Sequence, residues 1–309
     1  MLNRGTFIAA AAAAAVAAGC MSNTLQGNIT LAAGDYGGLY LAVCEIFAQR
    51  LRARYPGIDI TVLRTEGSVD NLNRLRSGDA DIGLAQGDLV ERDRTSGPPA
   101  TAPLAMARLY EDYLQLVVPA NSPIQHINDL VGLRVSIGLA GSGVAAMSNV
   151  LFAAASLTDR IHTVNASLND GLAALGHRRI DALVWSGGIP TPAISALNAS
   201  LPLRILDLRP WIGPMTQLAS YPYLLLRAPA GTYVPSDIHT IGAPDILLCR
   251  PGLQKSLAVA AVDVLASDAA QLMPPDVRGL QYLSPPSMIQ TGKIPLHPGA
   301  IEAYRTLHG

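Results

Sequence analysis

Strand-like and helix-like segments alternate through the first third of the chain, and this order limits the fold more than any other feature. Strand-like runs at Asn28–Ala33, Ile58–Leu63 and Asp81–Ala85 enclose two helical segments. The first of these, residues 39–54, repeats apolar side chains every three or four positions. A β-α-β-α-β order predicts parallel strands joined by crossover helices. Ligands of such sheets bind beyond the carboxyl ends of the strands, so functional residues are expected in the turns there.

The same alternation begins again in the middle of the chain, which predicts a second domain. A strand at Leu133–Gly138, an Ala-rich helix near 144–156 and a buried strand at Ile180–Trp185 follow one another. We expect the apolar run 109–120 to leave the first domain and Tyr221–Arg227 to return to it. Half of the 309 residues are hydrophobic and 15% are charged, which is enough to bury two cores. The predicted domains are 27–117 plus 222–309, and 118–221.

Two Gly-Ser turns stand where a strand is expected to lead into a helix. They are Gly67-Ser68 and Gly141-Ser142-Gly143, one in each predicted domain. A helix N-terminus presents free backbone N–H groups, and a nearby hydroxyl adds a further polar group, so each turn could bind a carboxylate or a phosphate. Ser68 is also a natural N-cap residue, and helix capping alone would account for either turn. As a pair, beside the Gly-rich turn GDYGGLY, they favour two domains that share one anionic ligand.

Several common chemistries are not supported by the sequence. Gly138 and Gly143 have the glycine spacing of a phosphate-binding loop. In such a loop Lys and then Ser or Thr follow the second glycine, whereas this chain has Val144-Ala145. Ala140 precedes Ser142 by two positions, so no nucleophile elbow surrounds that serine. The six histidines lack metal-ligand spacing, and a net charge of -1 without a basic run does not favour nucleic acid. We therefore expect no catalytic residue, no metal and no cofactor.

The N-terminus is predicted to be a signal peptide at 1–20, followed by a linker at 21–26. Its apolar stretch Thr6–Ala18 has 13 residues, too few to span a bilayer. The ending Ala17-Ala18-Gly19-Cys20 resembles a bacterial lipoprotein signal, in which Cys20 would be lipidated. An ordinary secreted protein and a cytosolic one are the alternatives. The expected location is the periplasm or the extracytoplasmic face of the membrane, with the lipid as the anchor.

Two cysteines remain once Cys20 is assigned to lipidation, namely Cys44 and Cys249. An exported protein permits a disulfide between them. Nothing in the sequence brings them together, so two buried thiols are the alternative.

Four segments of the chain together resemble the TAXI class of extracytoplasmic solute-binding proteins, the periplasmic subunits of TRAP transporters. Their order and spacing are similar over about residues 28–305. The chain departs from the pattern at Asp35-Tyr36, Leu41 and Cys44, all close to the first turn. The segments are GDYGGLYLAVC, TEGSVDNLNRLRSGDADIGLAQGD, LVGLRVSIGLAGSGV and IPLHPGAIEAY.

The resemblance implies an α/β, two-lobe periplasmic-binding-protein-like fold of type II, with mixed, mainly parallel sheets and a central ligand cleft. It also implies a ligand site at the matching positions. For Tyr40 the residues alone allow a core aromatic or a cleft hydroxyl, and for Trp185 they allow strand-end packing or an apolar wall. The expected ligand-binding residues are Gly38, Tyr40, Ser68, Asn71, Gln86, Ser142, Gly143 and Trp185.

The function expected from this resemblance is capture of a small anionic solute, a carboxylate or an acidic amino acid. The closed protein would deliver the solute to the membrane subunits of a TRAP-type permease. A ligand sensor that signals to a membrane receptor would use the same cleft. An enzyme on the same fold and a chain that has lost ligand binding are further alternatives.

Overall fold

The computed structural model describes residues 25–231, 233–234, 236–274 and 283–308. The predicted signal peptide, Cys20 and most of the predicted linker lie outside these residues. Within the described ranges, no helix is both long enough and apolar enough to cross a bilayer.

Ten strands form one mixed sheet with the order β2-β1-β3-β10-β4-β7-β5-β6, while β8 pairs with β4 and β9 with β10. The strands at the two ends are parallel, with β1 between β2 and β3, and β5 between β6 and β7. The strands are β1 Gly27–Ala32, β2 Ile58–Leu63, β3 Ile82–Gln86, β4 Leu104–Pro119, β5 Arg134–Ser136, β6 His162–Val164, β7 Ala182–Gly187, β8 Leu203–Ile205, β9 Leu224–Ala228 and β10 Ile238–Cys249.

Helices connect and cover these strands, as the alternating pattern predicts. In the first helix, Val43, Phe47 and Leu51 are buried at spacings of four residues. The second helix ends at Gly78, whose φ of 86° is the left-handed conformation that glycine tolerates. The helices are α1 Leu39–Arg54, α2 Ser68–Ser77, α3 Gly87–Ser96, α4 Gly143–Ala154, α5 Leu168–Gly176, α6 Pro192–Asn198, α7 Ile212–Ala219, α8 Lys255–Ser267, α9 Pro285–Met288 and α10 Pro298–His308.

Two long antiparallel strands, β4 and β10, join the two ends of the sheet. We call the part built around β1, β2 and β3 lobe I, and the part built around β5, β6 and β7 lobe II. β4 pairs with β10 and then with β7, whereas β10 pairs with β9 at Ile238–Gly242 and with β3 at Asp245–Cys249. The return strand is therefore β10, which corrects the return expected at Tyr221–Arg227. The numerical domain boundaries stay a prediction.

Each lobe has its own apolar core on the sheet. The largest core of lobe I packs α1, α8 and α10 against the strands and contains both Cys44 and Cys249, which are buried and free of disulfide bonds. The largest core of lobe II packs α4 and the segment before β9 around β5 and β7. Because β2 and β5 both end at the junction of the lobes, the two Gly-Ser turns that follow them meet there.

Candidate functional site

A small cleft lies where the carboxyl ends of the parallel strands of both lobes converge. About 50 Å³ of it is open to the centres of water-sized molecules. Seven of the eight ligand-binding residues expected from the sequence line it, with Asn71 as the exception. The expected residues that line the cleft are Gly38, Tyr40, Ser68, Gln86, Ser142, Gly143 and Trp185.

The first Gly-Ser turn does not cap its helix in the predicted way. The N-cap of α2 is Gly67, with a φ of 123° that a residue with a side chain rarely adopts. Ser68 is the first helical residue, so the N-cap prediction for Ser68 was wrong. The hydroxyl of Ser68 instead accepts the backbone N–H of Gln86 at 3.2 Å, which ties the start of α2 to the end of β3.

The two Gly-Ser turns hydrogen-bond directly to each other across the lobe junction. The N–H groups of Val69 and Asp70, at the start of α2, both donate to the carbonyl oxygen of Gly141 at 3.1 Å. The N–H of Gly141 in turn donates to Glu66 Oε2 at 2.6 Å. The N-terminus of α2 therefore already has an acceptor within the protein and holds the lobes together.

The second Gly-Ser turn keeps its helix N-terminus at the cleft. Ser142 is the N-cap of α4, and its Oγ accepts the N–H of Ala145 at 3.1 Å. Gly143 and Val144, the first two helical residues, line the cleft, and the N–H groups at these positions have no partner within the helix. This end of α4 is thus the place where a ligand carboxylate can be bound.

A chain of hydroxyl groups runs from this wall to a buried carboxyl group. Tyr40 Oη donates a short hydrogen bond to Asp245 and lies 3.2 Å from Ser68 Oγ. The ring of Tyr40 packs edge-on against Tyr110, with 6.5 Å between the ring centroids. Both sequence interpretations of Tyr40 therefore apply, since its ring is in the core and its hydroxyl reaches the cleft. Burial, and next the charge of Asp245, raises the pKa of Tyr40, so the phenol keeps its proton.

Gln86 connects the two lobes at the floor of the cleft. Its Nε2 donates to Asp112 Oδ2 on β4 at 3.1 Å and to Ser186 Oγ on β7 at 2.8 Å. Ser186 Oγ lies 3.2 Å from the same oxygen of Asp112 and can donate to it. The carboxylate partner fixes which end of the amide carries the nitrogen. Gln86 Oε1 is buried without a hydrogen-bond partner among the described residues.

Asp112 and Asp245 form a buried carboxyl pair at the bottom of the cleft. They lie on the neighbouring strands β4 and β10, are 4% and 0% exposed, and are within hydrogen-bonding reach of each other. Burial is the main cause that raises the pKa of each group, and the charge of Asp112 raises the pKa of Asp245 further. Two carboxyl groups so close cannot both ionise cheaply, so the charge of either one opposes ionisation of the other.

Trp185 separates the cleft from a second cavity. The second cavity encloses about 490 Å³ between α1 and the turn that precedes α6. Both cavities contact Gly38, Leu39 and Trp185, and a side chain at Gly38 would meet the indole ring at 3.7 Å. Trp185 therefore provides an apolar wall, which was one of its two interpretations from the sequence.

Asn71 lies outside the cleft and is fully buried within lobe I. Its Nδ2 donates to the carbonyl oxygens of Ala33 and Leu84, each at 2.7 Å. Its Oδ1 accepts from Thr65 Oγ1 at 2.6 Å. With both donors used, Asn71 joins β1, β3 and the loop before α2, and the structure does not bring it to the ligand position.

Sequence reasoning missed the acidic residues of the site. Asp112 and Asp245 each interrupt an apolar strand, in LYEDYLQLVV and GAPDILLC, and a carboxylate in such a strand was the available signal. Arg64, a possible cation for the ligand, is exposed and stacks on Tyr36 away from the cleft. The missed residues are Asp35, Glu66, Asp112 and Ser186, which line the cleft, and Asp245 behind it.

The described residues contain no cluster of three or more His, Cys, Asp or Glu side chains that could hold a metal ion. None of the described residues that line the cleft is Lys, Arg or His. A ligand in the cleft therefore faces acidic side chains on the floor and on one wall, and backbone N–H groups at the start of α4.

Several solved structures share this fold, and two of those named below are described with transporters. A protein of Bordetella bronchiseptica RB50 is 14% identical, with a TM-score of 0.57 over 92% of this chain and 99% of its own. A putative L-cystine ABC transporter from Listeria monocytogenes is 15% identical, with a TM-score of 0.52 over 80% and 93%. A structure from a study of glutathione import and a cystine ABC importer of Streptococcus mutans is 13% identical, with a TM-score of 0.50 over 80% and 92%. The fold is thus the two-lobe, periplasmic-binding-protein-like fold expected from the sequence.

The sequence itself also matches a protein family over nearly all of the described fold. The model of the NMT1-like family matches residues 31–306, from β1 to the last helix. The matched range includes both Gly-Ser turns, both long connecting strands and every residue that lines the cleft. The protein therefore belongs to the NMT1-like family.

Proposed function

We propose that the protein is an extracytoplasmic solute-binding protein that captures a small, carboxylate-bearing solute between its two lobes. The observation that carries this proposal is the composition of the cleft, which draws polar groups from both lobes onto one small volume. Lobe I supplies Tyr40 and Gln86, and lobe II supplies Ser186 and the free N-terminus of α4. A ligand that touches all of them favours the closed arrangement, since only that arrangement makes every contact.

The carboxylate of the solute would lie at the start of α4. The N–H groups of Gly143 and Val144 point a partial positive charge at that position, and Tyr40 and Ser68 place hydroxyl groups on the opposite wall. An acidic amino acid was one expectation from the sequence. Its second carboxylate would approach Asp112 or Glu66 without a cation nearby, so the cleft favours a solute with a single carboxylate.

The partner we propose is a TRAP-type membrane permease, because four sequence segments resemble the TAXI class. The structures with the same fold include proteins described with ABC transporters, and an ABC permease is the competing outcome. The test is uptake of the identified solute in cells that carry the binding protein with one permease type at a time. Uptake that needs an ATP-hydrolysing permease would overturn the TRAP assignment and leave solute binding intact.

Attachment by a lipid at Cys20 is part of the same proposal. Intact mass measurement of the exported protein should show a chain that begins at Cys20 and carries acyl groups. A Cys20→Ala variant should then be released into the soluble periplasmic fraction. An unmodified N-terminus at another residue would show that the protein is exported without an anchor.

The primary test of solute binding is calorimetry with the purified protein and a panel of monocarboxylates, dicarboxylates and amino acids. We expect at least one solute to bind and to raise the melting temperature, because it binds the folded state alone. The matched variant is Tyr40→Phe, which keeps the ring in the core but removes the hydroxyl at the cleft. A complete lack of binding across the panel, together with no co-purified solute in a native mass spectrum, would overturn the proposed function.

A further inference from the structure

We infer that the floor of the cleft recognises a protonated amino group, so that the solute is a zwitterionic amino acid or a related small amine. The inference rests on the proposed function and names the class of solute for the same site. It is carried by buried acceptor atoms of Asp112 and Gln86 that have no partner among the described residues, and by the buried acidic side chains of Asp112 and Asp245, which form no ion pair there.

Two buried acceptor oxygens at the floor have no partner among the described residues. Asp112 Oδ2 accepts from Gln86 and Ser186, whereas its Oδ1 receives no hydrogen bond from an N–H group or a hydroxyl of the described residues. Gln86 is 1% exposed, and its Oε1 is buried and unpaired beside Gly143 at the cleft. An unpaired buried acceptor has lost its hydrogen bonds to water, and a donor from a ligand would restore one of them.

The two carboxyl groups at the floor also lack a cationic partner. Asp112 and Asp245 are buried, and neither forms an ion pair with a Lys or Arg of the described residues. The nearby Arg108 is instead paired with Glu111, at 2.5 Å between Nη2 and Oε1. A buried charge is tolerated when a counter-ion lies beside it, and a cationic group of the ligand would serve as that counter-ion.

The other walls of the cleft add acidic side chains and, among the described residues, no Lys, Arg or His. Glu66 and Asp35 line the cleft from the loops that precede α2 and α1. Asp35 Oδ2 is buried without a partner in the described part of the chain, whereas Glu66 accepts the N–H of Gly141. An ammonium group donates three hydrogen bonds, so it can contact Asp112, Gln86 and a third acceptor together.

The two ends of the cleft thus have opposite polarity. The start of α4 attracts a carboxylate, and the Asp112 floor of the same cleft attracts an ammonium group. A zwitterion satisfies both ends. A dicarboxylate would leave the floor unpaired and add a third negative group beside it.

The first experiment compares matched pairs of solutes on the unchanged protein. Each L-amino acid is measured by calorimetry beside the carboxylic acid that lacks its amino group, for example L-alanine beside propionate, and succinate represents dicarboxylates. We expect the amino compound to bind about 10- to 100-fold more tightly, since its charged hydrogen bonds are lost in the partner. Equal or tighter binding of the deaminated acid or of succinate would overturn this inference and still support solute binding. Binding of no solute would overturn the proposed function as well.

The second experiment changes the floor itself. Asp112→Asn keeps an acceptor for Gln86 and Ser186 and offers Asp245 an N–H, so the variant is expected to fold. Affinity for the best amino compound should fall about 10- to 100-fold, with little change for its deaminated partner. Asp88→Asn is the control, since Asp88 is buried and bonded to Tyr223 but does not line the cleft. An unchanged preference for the amino compound in Asp112→Asn would overturn the inference.

A pH series gives an independent readout with a fixed sign. Burial raises the pKa of Asp112, so its charge is present above that raised pKa and is lost as the pH falls through it. Affinity for the amino compound should therefore decline on acidification, and Asp112→Asn should remove most of that decline. If the affinity of Asp112→Asn declines by the same amount on acidification, another group causes the decline. That result would contradict recognition of the amino group by Asp112. The other titratable or charged groups around the pair are Asp35, Tyr40, Glu66, Asp88, Arg108, Tyr110, Glu111 and Asp245.

Discussion

The two Gly-Ser turns are alike in sequence and different in what their helices do. At the first turn, the N–H groups of Val69 and Asp70 are occupied by the carbonyl of Gly141. At the second turn, Ser142 caps α4 and the first N–H groups of the helix stay at the cleft. A helix N-terminus binds an anion only if no protein acceptor already lies there. The first turn therefore holds the lobes closed, and the second remains available to a ligand.

The largest effect should come from Gly143, where the two turns approach most closely. A Cβ at this position would lie 2.6 Å from Gln86 Oε1 and 2.7 Å from Ser68 Oγ, so Gly143→Ala must displace these two side chains or push the lobes apart. We expect affinity for the best solute of the panel to fall about 10- to 100-fold, which calorimetry would measure. Small-angle scattering should show a larger radius of gyration for the free variant.

The matched control for this substitution is Gly213→Ala in α7, where an added Cβ meets nothing within 4 Å. It should leave both affinity and the radius of gyration unchanged. If Gly143→Ala behaves in the same way as this control, the close approach of the turns does not govern closure.

The sequence predicted the second turn better than the first, and neighbouring elements explain why. A serine before a helical run is an N-cap by local geometry alone, and Ser142 fills that role. Gly67 takes the N-cap position of α2 because the chain there needs a φ of 123° to let the turn approach Ser142. That requirement comes from the other lobe, about seventy residues away in the chain, so no local pattern contains it.

The alternation of strands and helices followed from periodicity, and the family resemblance implied the two-lobe fold, but neither indicated the acidic residues of the site. Strand and helix runs such as 39–54 and 58–63 carry their pattern locally and match α1 and β2. Helix α3 was missed because its sequence GDLVERDRTS has only one apolar pair, Leu89-Val90. Asp112 and Asp245 lie close together because β4 and β10 pair in antiparallel order. That pairing cannot be predicted from the spacing of residues in the sequence.

The next effect in size is on stability and concerns the first turn. Ser68→Ala would leave the backbone N–H of Gln86 buried without its acceptor and remove the neighbour of Tyr40 Oη. We expect a loss of about 1–3 kcal/mol in the free energy of unfolding, measured by urea titration. Ser68→Thr retains the hydroxyl and serves as the comparison. An equal loss in both variants would show that packing, not the hydrogen bond, is responsible.

The corresponding change at the second turn should cost less. Ser142→Ala removes the side-chain acceptor for Ala145 N–H, and loss of an N-cap costs about 1 kcal/mol. Ser142→Gly should lower the free energy of unfolding by only about a few tenths of a kcal/mol, because glycine is an acceptable N-cap residue. A Ser142→Ala loss larger than that of Ser68→Ala would reverse the roles assigned to the two turns.

The smallest effect tests the contact between the turns at Glu66. Glu66→Gln keeps an oxygen that accepts the N–H of Gly141 but removes the charge that strengthens this hydrogen bond. Because Glu66 is exposed to solvent that screens its charge, we expect affinity for the best solute to change by less than about threefold at physiological salt. The informative quantity is the slope of affinity against salt concentration, which should become shallower for an amino compound when one negative wall charge is removed. Glu302→Gln in α10, where Glu302 pairs with Lys255, should leave that slope unchanged. If the slope of affinity against salt concentration becomes steeper in Glu66→Gln, the charge of Glu66 repels the solute. The preference for an amino group would then have to come from Asp112 and not from Glu66.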